Sequence, residues 1–259
     1  MTAVPGVVVH RDADVLAQAV SARLVTRLVD TQAARGSAHL VLTGGTVGIA
    51  TLAALAATAA HDAIDWRALD IWWGDERFLP TGHPERNETG ARQALLDHVD
   101  VDPERVHVMP GPDSGMTAEE AADAYAVELA KAARPEDHGP VPSFDVLLLG
   151  MGPDGHVASL FPDRPAVYEE ERSVVAVHGS PKPPPTRLSL TFPALRAARE
   201  TWVVVAGGDK AQAVHLALSG AGPFQVPAAG ARGRQRTLFL LDRAAAAKIP
   251  PGLGRIASP

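Results

Sequence analysis

Asp154 and His156 stand two residues apart in the turn Gly150-Met151-Gly152-Pro153-Asp154-Gly155-His156. An imidazole there moves protons near neutral pH, and a carboxylate beside it orients the ring or contacts a substrate. An unbroken apolar run, residues 146–149, precedes the turn and predicts a strand buried on both faces of a parallel sheet. The glycines and the proline then stop that strand. In open parallel sheets ligands bind at the carboxyl ends of strands, which is where this pair falls. A solvated glycine-rich turn with a capping histidine would be spelled the same way, so the choice depends on what else the chain brings to that edge.

Other strand ends carry polar residues too. Thr43-Gly44-Gly45-Thr46 lies between an apolar strand, 39–42, and an alanine-rich helix, 49–60. Strand, Gly-Gly turn and helix together present free backbone N–H groups to an anion. The turn is not a Walker motif, because no Lys-Ser/Thr pair follows, and its glycine spacing is not that of a dinucleotide fingerprint. A strand at 69–73 ends in Gly74-Asp75-Glu76-Arg77, and one at 201–205 runs into Ala206-Gly207-Gly208-Asp209-Lys210 and a helix. A lysine in a first helical turn opposes the helix dipole unless it faces a bound anion. Arg187 opens an alternating strand, 187–191, whose Arg and Ser residues are placed to face a site. Each turn alone is compatible with an ordinary surface loop. Together they predict a pocket with an anion cradle (Gly44, Gly45, Thr46), cations (Arg77, Arg187, Lys210), carboxylates (Asp75, Asp154) and one imidazole (His156). That mixture suits a small phosphorylated molecule whose other end undergoes acid–base chemistry.

At least six strands alternate with helices, which predicts an α/β protein with a doubly wound, mostly parallel sheet and helices on both faces, in a single domain over residues 1–259. Residues 7–9 read as the first strand. Asp12 caps a helix to about Arg35, with Leu16, Val20, Leu24 and Leu28 on one face and Gly36 as its stop. Residues 106–109 read as a further strand. Thr117 and Glu120 form a capping box for a helix to about Ala133. Residues 135–142 read as a polar linker, 173–177 as a strand, and Pro181-Lys182-Pro183-Pro184-Pro185 as a stiff connector. The last strand is expected at 238–241, with Asp242 capping a short alanine-rich helix. Residues 228–234 read as a mobile loop, 250–259 as a loose end, and His83 as a surface loop residue.

The 259 residues are 46% apolar with a net charge of −6, values that fit a globular chain and speak against nucleic-acid or membrane-surface binding. There is no cysteine, so disulfides, thiolate chemistry and Cys-ligated zinc are excluded. The opening MTAVPGVVVHRD lacks a basic n-region, and no stretch has the length of a membrane span, so a cytoplasmic protein is expected.

The segments TGGT, WGDERF, RNETGARQALL, FDVLLLGMGPDGHVASLFP, PPPTRLSLTFPAL and GGDKAQAV, spread over about residues 41–212, resemble the 6-phosphogluconolactonases. These share a sugar-phosphate isomerase-like, Rossmann-like three-layer fold with glucosamine-6-phosphate deaminases. The resemblance implies hydrolysis of 6-phospho-D-glucono-1,5-lactone in the oxidative pentose phosphate pathway, with no metal or cofactor, by a monomer or small homo-oligomer. It makes His156 the base that activates water, and gives Asp154 and Asp75 to its orientation or to substrate hydroxyls. It gives Gly44, Gly45, Thr46, Arg187, Lys210 and Arg77 to the phosphate. Many relatives carry Ser-Thr-Pro after the Gly-Gly pair where this chain has Thr46-Val47-Gly48, so one hydroxyl contact is missing. The deaminases carry a Glu five residues after the histidine, where this chain has Phe161. That substitution ranks deamination below lactone hydrolysis. A sugar-phosphate sensor module, the remaining alternative, would carry a basic helix-turn-helix segment that this chain lacks.

Overall fold

The computed structural model describes residues 4–137 and 139–257; the first three residues of the opening segment, His138 of the expected linker and the last two residues of the tail lie outside the described residues. In chain order the elements are β1 (Gly6–His10), α1 (Ala13–Arg35), β2 (Ala38–Leu42), α2 (Gly45–Ala57), β3 (Leu69–Trp73), β4 (Asp75–Arg77), α3 (Asn87–Ala94) and α4 (Ala118–Ala132). They continue with β5 (Val146–Leu149), β6 (Val174–Val177), β7 (Arg187–Leu190), α5 (Phe192–Leu195), β8 (Glu200–Val205), α6 (Ala211–Leu218), α7 (Pro227–Gly230), β9 (Arg236–Asp242) and β10 (Gly254–Ile256). Seven strands form one sheet in the order β10-β1-β9-β8-β5-β2-β3, with every pair parallel. A second, antiparallel sheet has the order β4-β7-β6.

Alternate residues of the central strands go to opposite faces of the large sheet. Val41, Leu147, Leu149, Val203 and Phe239 join one core with α4 and the small sheet, while Leu40, Leu42, Val146, Leu148, Trp202 and Leu240 join the other with α1, α2 and α3. This two-sided burial is why the strands read as continuous apolar runs. The caps are as the sequence implies. Asp12 accepts from Val15 N, Gly36 ends α1 in the left-handed region, and Thr117 with Glu120 closes a reciprocal box. No helix among the described residues is long and apolar enough to cross a membrane.

Four expectations are corrected. Residues 106–109 make only a bridge, Val106 to Ile71, because Pro103 and Pro110 bracket the segment and deny it a ladder. The alanines after Asp242 form turns rather than a helix, although Asp242 accepts from Ala245 N at 2.7 Å. Residues 228–234 are not a free loop: Ala228, Ala229 and Ala231 are buried, and the segment begins in α7. The tail is not loose throughout, since β10 pairs with β1.

At the amino ends of β2 and β3, His39 is packed beside Asp70, and its Nδ1 accepts from Trp72 Nε1 at 3.2 Å. Burial pushes the His39 pKa below the usual imidazole value, with Asp70 and Asp145 pulling it partly back. The folded protein therefore resists a proton that the unfolded chain accepts below about pH 6.5. This contribution is complete above that pH and is lost as pH falls through it. The urea midpoint, followed by tryptophan fluorescence, is expected to drop as pH falls below about 6.5. His39→Gln, which keeps an acceptor for Trp72, should flatten the slope, and an unchanged slope would remove His39 from the effect. His10, shifted the same way by burial, should preserve part of it.

Candidate active site

From β5 the sheet continues through β2 to β3 on one side and through β8 to β9 on the other. Strand order thus reverses between β2 and β5, and the crevice outside their carboxyl ends is the switch point where such sheets bind ligands. The two turns that follow these strands are tied together by Gly150 N donating to Thr43 Oγ1 at 3.1 Å. A cleft of about 650 Å³ opens here. Gly44, Gly45, Thr46, Asp75, Arg77, His156, Arg187 and Lys210 all line it, whereas Asp154 stands behind His156 rather than on the wall.

The histidine is held from its far side. His156 Nδ1 lies 2.5 Å from Asp154 Oδ1, so the ring's Nδ1–H donates to the carboxylate and Nε2 remains as the basic atom. Burial raises the Asp154 pKa, but the hydrogen bond and charge of His156, with a smaller contribution from Lys182, outweigh it and hold the carboxyl below its usual range. Gly152 makes this pairing possible, because a Cβ there would fall 2.1 Å from His156 Cε1 and 2.5 Å from Asp154 Oδ1. The turn is braced from outside by Ala228 N donating to Gly155 O at 2.9 Å, a support from the segment that the sequence presents as a loop. Phe161 packs against the imidazole with ring centroids 4.5 Å apart.

Asp75 is buried but still lines the cleft, and two neighbours fix its side chain. Its Oδ2 accepts from Ser159 Oγ at 2.7 Å, and Asn87 Nδ2 donates to its backbone O at 2.8 Å and lies 3.4 Å from Oδ1. The neighbouring Glu76 turns away from the cleft and accepts from the backbone N–H groups of Arg77, Asn87 and Glu88 at 2.7–2.8 Å, which pins the start of α3. Burial pushes the Glu76 carboxyl up to about 7, with Arg86 and those N–H groups pulling against it. Asn87 in turn touches the phosphate-type turn, since a Cβ on Gly44 would fall 1.8 Å from Asn87 Oδ1. Asn87 and Ser159 are site residues that sequence reasoning did not single out. The available signal was Asp75 itself, a carboxylate on a short polar strand that needed donors once buried.

Helix α2 begins at Gly45, earlier than expected, so Gly45, Thr46 and Val47 sit in its first turn with their N–H groups at the cleft. The cations are engaged to different degrees. Arg77 Nη1 donates to Glu85 O. Lys210, at the start of α6, places Nζ 3.0 Å from both carboxylate oxygens of Asp209. Arg187 donates Nε to Pro184 O at 3.2 Å and Nη2 to Lys182 O and Pro183 O at 3.1 Å. Lys182, Asp14 and Asp209 also line the cleft, none of them anticipated from sequence. Among the described residues no group of three His, Asp or Glu side chains is arranged to hold a metal ion.

A sequence model of the family described as glucosamine-6-phosphate isomerases/6-phosphogluconolactonase matches residues 11–240. This chain belongs to that family. Within the glucosamine-6-phosphate isomerase/6-phosphogluconolactonase family, it is 64% identical to the 6-phosphogluconolactonase of Streptomyces coelicolor over 98% of both chains. It is 53% identical to that of Mycobacterium tuberculosis, over 92% of this chain and 96% of the other. The solved 6-phosphogluconolactonase from Trypanosoma cruzi matches with a TM-score of 0.83 at 25% identity, covering 96% of this chain and 98% of that one. A monomeric glucosamine-6-phosphate deaminase shares the fold, with a TM-score of 0.77 at 20% identity over 93% of this chain and 99% of that one.

Proposed function

We propose that this family member hydrolyses 6-phospho-D-glucono-1,5-lactone to 6-phospho-D-gluconate, with His156 as the general base. The observation that carries the reading is the placement of the His156–Asp154 pair and the amino end of α2 on the same cleft at the switch point. The free N–H groups of the first turn of α2, with Lys210 and Arg77, suit a phosphate dianion. Binding the phosphate would orient the ring and present its C1 carbonyl to the histidine. His156 Nε2 takes a proton from water as the water oxygen attacks C1. The C1–ring-oxygen bond of the tetrahedral intermediate then breaks, and His156 returns the proton to the departing ring oxygen, which becomes a hydroxyl. Asp154 holds the imidazole in the required tautomer and stabilises its protonated form. Asp75, fixed by Ser159 and Asn87, is placed to accept from a substrate hydroxyl. A δ-lactone is an activated ester, so a positioned base worth about 10²–10⁴-fold is sufficient catalysis.

Amine chemistry fits less well. Phe161, buried against the imidazole, stands where the deaminases carry the Glu that partners their histidine. The reading is tested by a coupled assay on freshly prepared lactone, in which wild type is expected to turn over. Lys210→Ala should raise KM at least about tenfold with kcat largely kept, as for a group that binds ground and transition states alike. No hydrolysis by wild type would refute the activity, and an unchanged KM would remove Lys210 from the phosphate site.

A further inference from the structure

We propose that Lys182 donates to the lactone carbonyl oxygen as negative charge develops on it, and that Arg187 acts by holding Lys182 in place rather than by binding phosphate. The inference rests on the lactonase reading of the same cleft. Four cations line that cleft, and they differ in what their head groups already hold. Arg77 is bonded to Glu85 O, Lys210 to Asp209, and Arg187 to three consecutive carbonyls. Lys182 Nζ alone of the four has no hydrogen bond or ion pair among the described residues, although its side chain lines the wall that also carries His156. Its charge acts on Asp154, behind the His156 ring, and on Asp209 across the same cleft. An ammonium with no partner of its own, on the same cleft as the base, is what a developing oxyanion requires.

The backbone beneath Lys182 is fixed rather than floppy. Ser180 Oγ and Arg187 Nη2 both donate to Lys182 O, at 2.8 and 3.1 Å, and Lys182 N donates to Ser180 Oγ at 3.3 Å. Arg187 also binds the next two carbonyls, and Ser180 N donates to Pro185 O at 3.0 Å. The proline-rich connector between β6 and β7 is thus a bracket closed by Arg187. This accounts for a buried arginine whose Nε and Nη2 point into its own chain.

The test is steady-state kinetics on fresh lactone for Lys182→Met, Lys182→Arg, Arg187→Lys and the Lys182→Met/Arg187→Lys double variant, with melting temperatures in parallel. Lys182→Met should lower kcat about 10–100-fold with KM within about threefold, and Lys182→Arg should restore most of the loss. Arg187→Lys should lower kcat in the wild-type background and add less than about threefold to Lys182→Met, as expected for two residues acting in series. Unchanged kinetics in Lys182→Met, or a rise in KM alone, would overturn the carbonyl assignment. Multiplying effects in the double variant would overturn the positioning role of Arg187. If Arg187→Lys does not fold, Ser180→Ala loosens the same bracket and should behave in the same way in both backgrounds. A wild type inactive on the lactone would overturn this inference together with the lactonase reading, whereas an active wild type matched by Lys182→Met would overturn this inference alone.

Discussion

Replacing His156 by alanine is expected to lower kcat about 10²–10⁴-fold, while the affinity for 6-phosphogluconate stays within about threefold of wild type. Two physical facts set these directions. The ring presents one basic nitrogen to the cleft because Asp154 occupies the other, so deleting the ring removes the proton acceptor without touching the amino end of α2 or Lys210. In the proposed mechanism the acceptor acts only when water is being deprotonated, so it would contribute to the transition state rather than to binding. Turnover by the coupled assay and product affinity by calorimetry separate the two quantities. A variant that hydrolyses the lactone at the wild-type rate would end the assignment of the base.

Gly152→Ala is expected to be nearly as damaging, although it removes no functional group. The added methyl would lie 2.1–2.5 Å from His156 Cε1, His156 Nδ1 and Asp154 Oδ1, well inside contact distance, and the two side chains would have to part. The backbone of Gly152 is not in the left-handed region, so alanine carries no conformational penalty of its own there. The expected result is a loss of kcat about 10²-fold or more with a melting temperature within about 4 °C of wild type. Activity above half of wild type would show that the imidazole works without its carboxylate. A collapse in melting temperature would show that the turn bears on folding rather than on catalysis.

Much of the architecture was legible because the central strands are buried on both faces and the helices carry explicit stops. Residues 69–73 and 146–149 are strands with the bounds expected of them, and Asp12, Gly36, Thr117 and Glu120 cap as their types dictate. Illegible parts share one cause, which is that their structure depends on a partner distant in sequence. The three-residue strand β4 has no apolar pattern and exists because it pairs with β7. Residues 228–234 look like a loop until the turn around Gly155 packs against them. In the cleft, the dyad and the Gly-Gly turn were legible as candidates only jointly, because each falls at the carboxyl end of a predicted strand and those ends share one edge of the sheet. Ser159, Asn87 and Lys182 were not legible, because an ordinary serine, asparagine or lysine becomes part of a site only through the neighbour it meets. Arg187 was legible in part. Its charge and position suggest a phosphate ligand, and the contacts that could give it a second role, with the carbonyls of residues 182–184, depend on a connector whose course the sequence does not reveal.

The short strand near the carboxyl end has a consequence for how copies of this protein meet one another. A seven-stranded sheet leaves two rims, and an open rim is a template for adding strands from other molecules. Here β10 covers β1 with three residues, and at the opposite rim His107 N donates to Ile71 O at 2.9 Å, capping β3 with a single irregular rung. Neither guard lines the cleft, so the rims are blunted by segments separate from those that form the site.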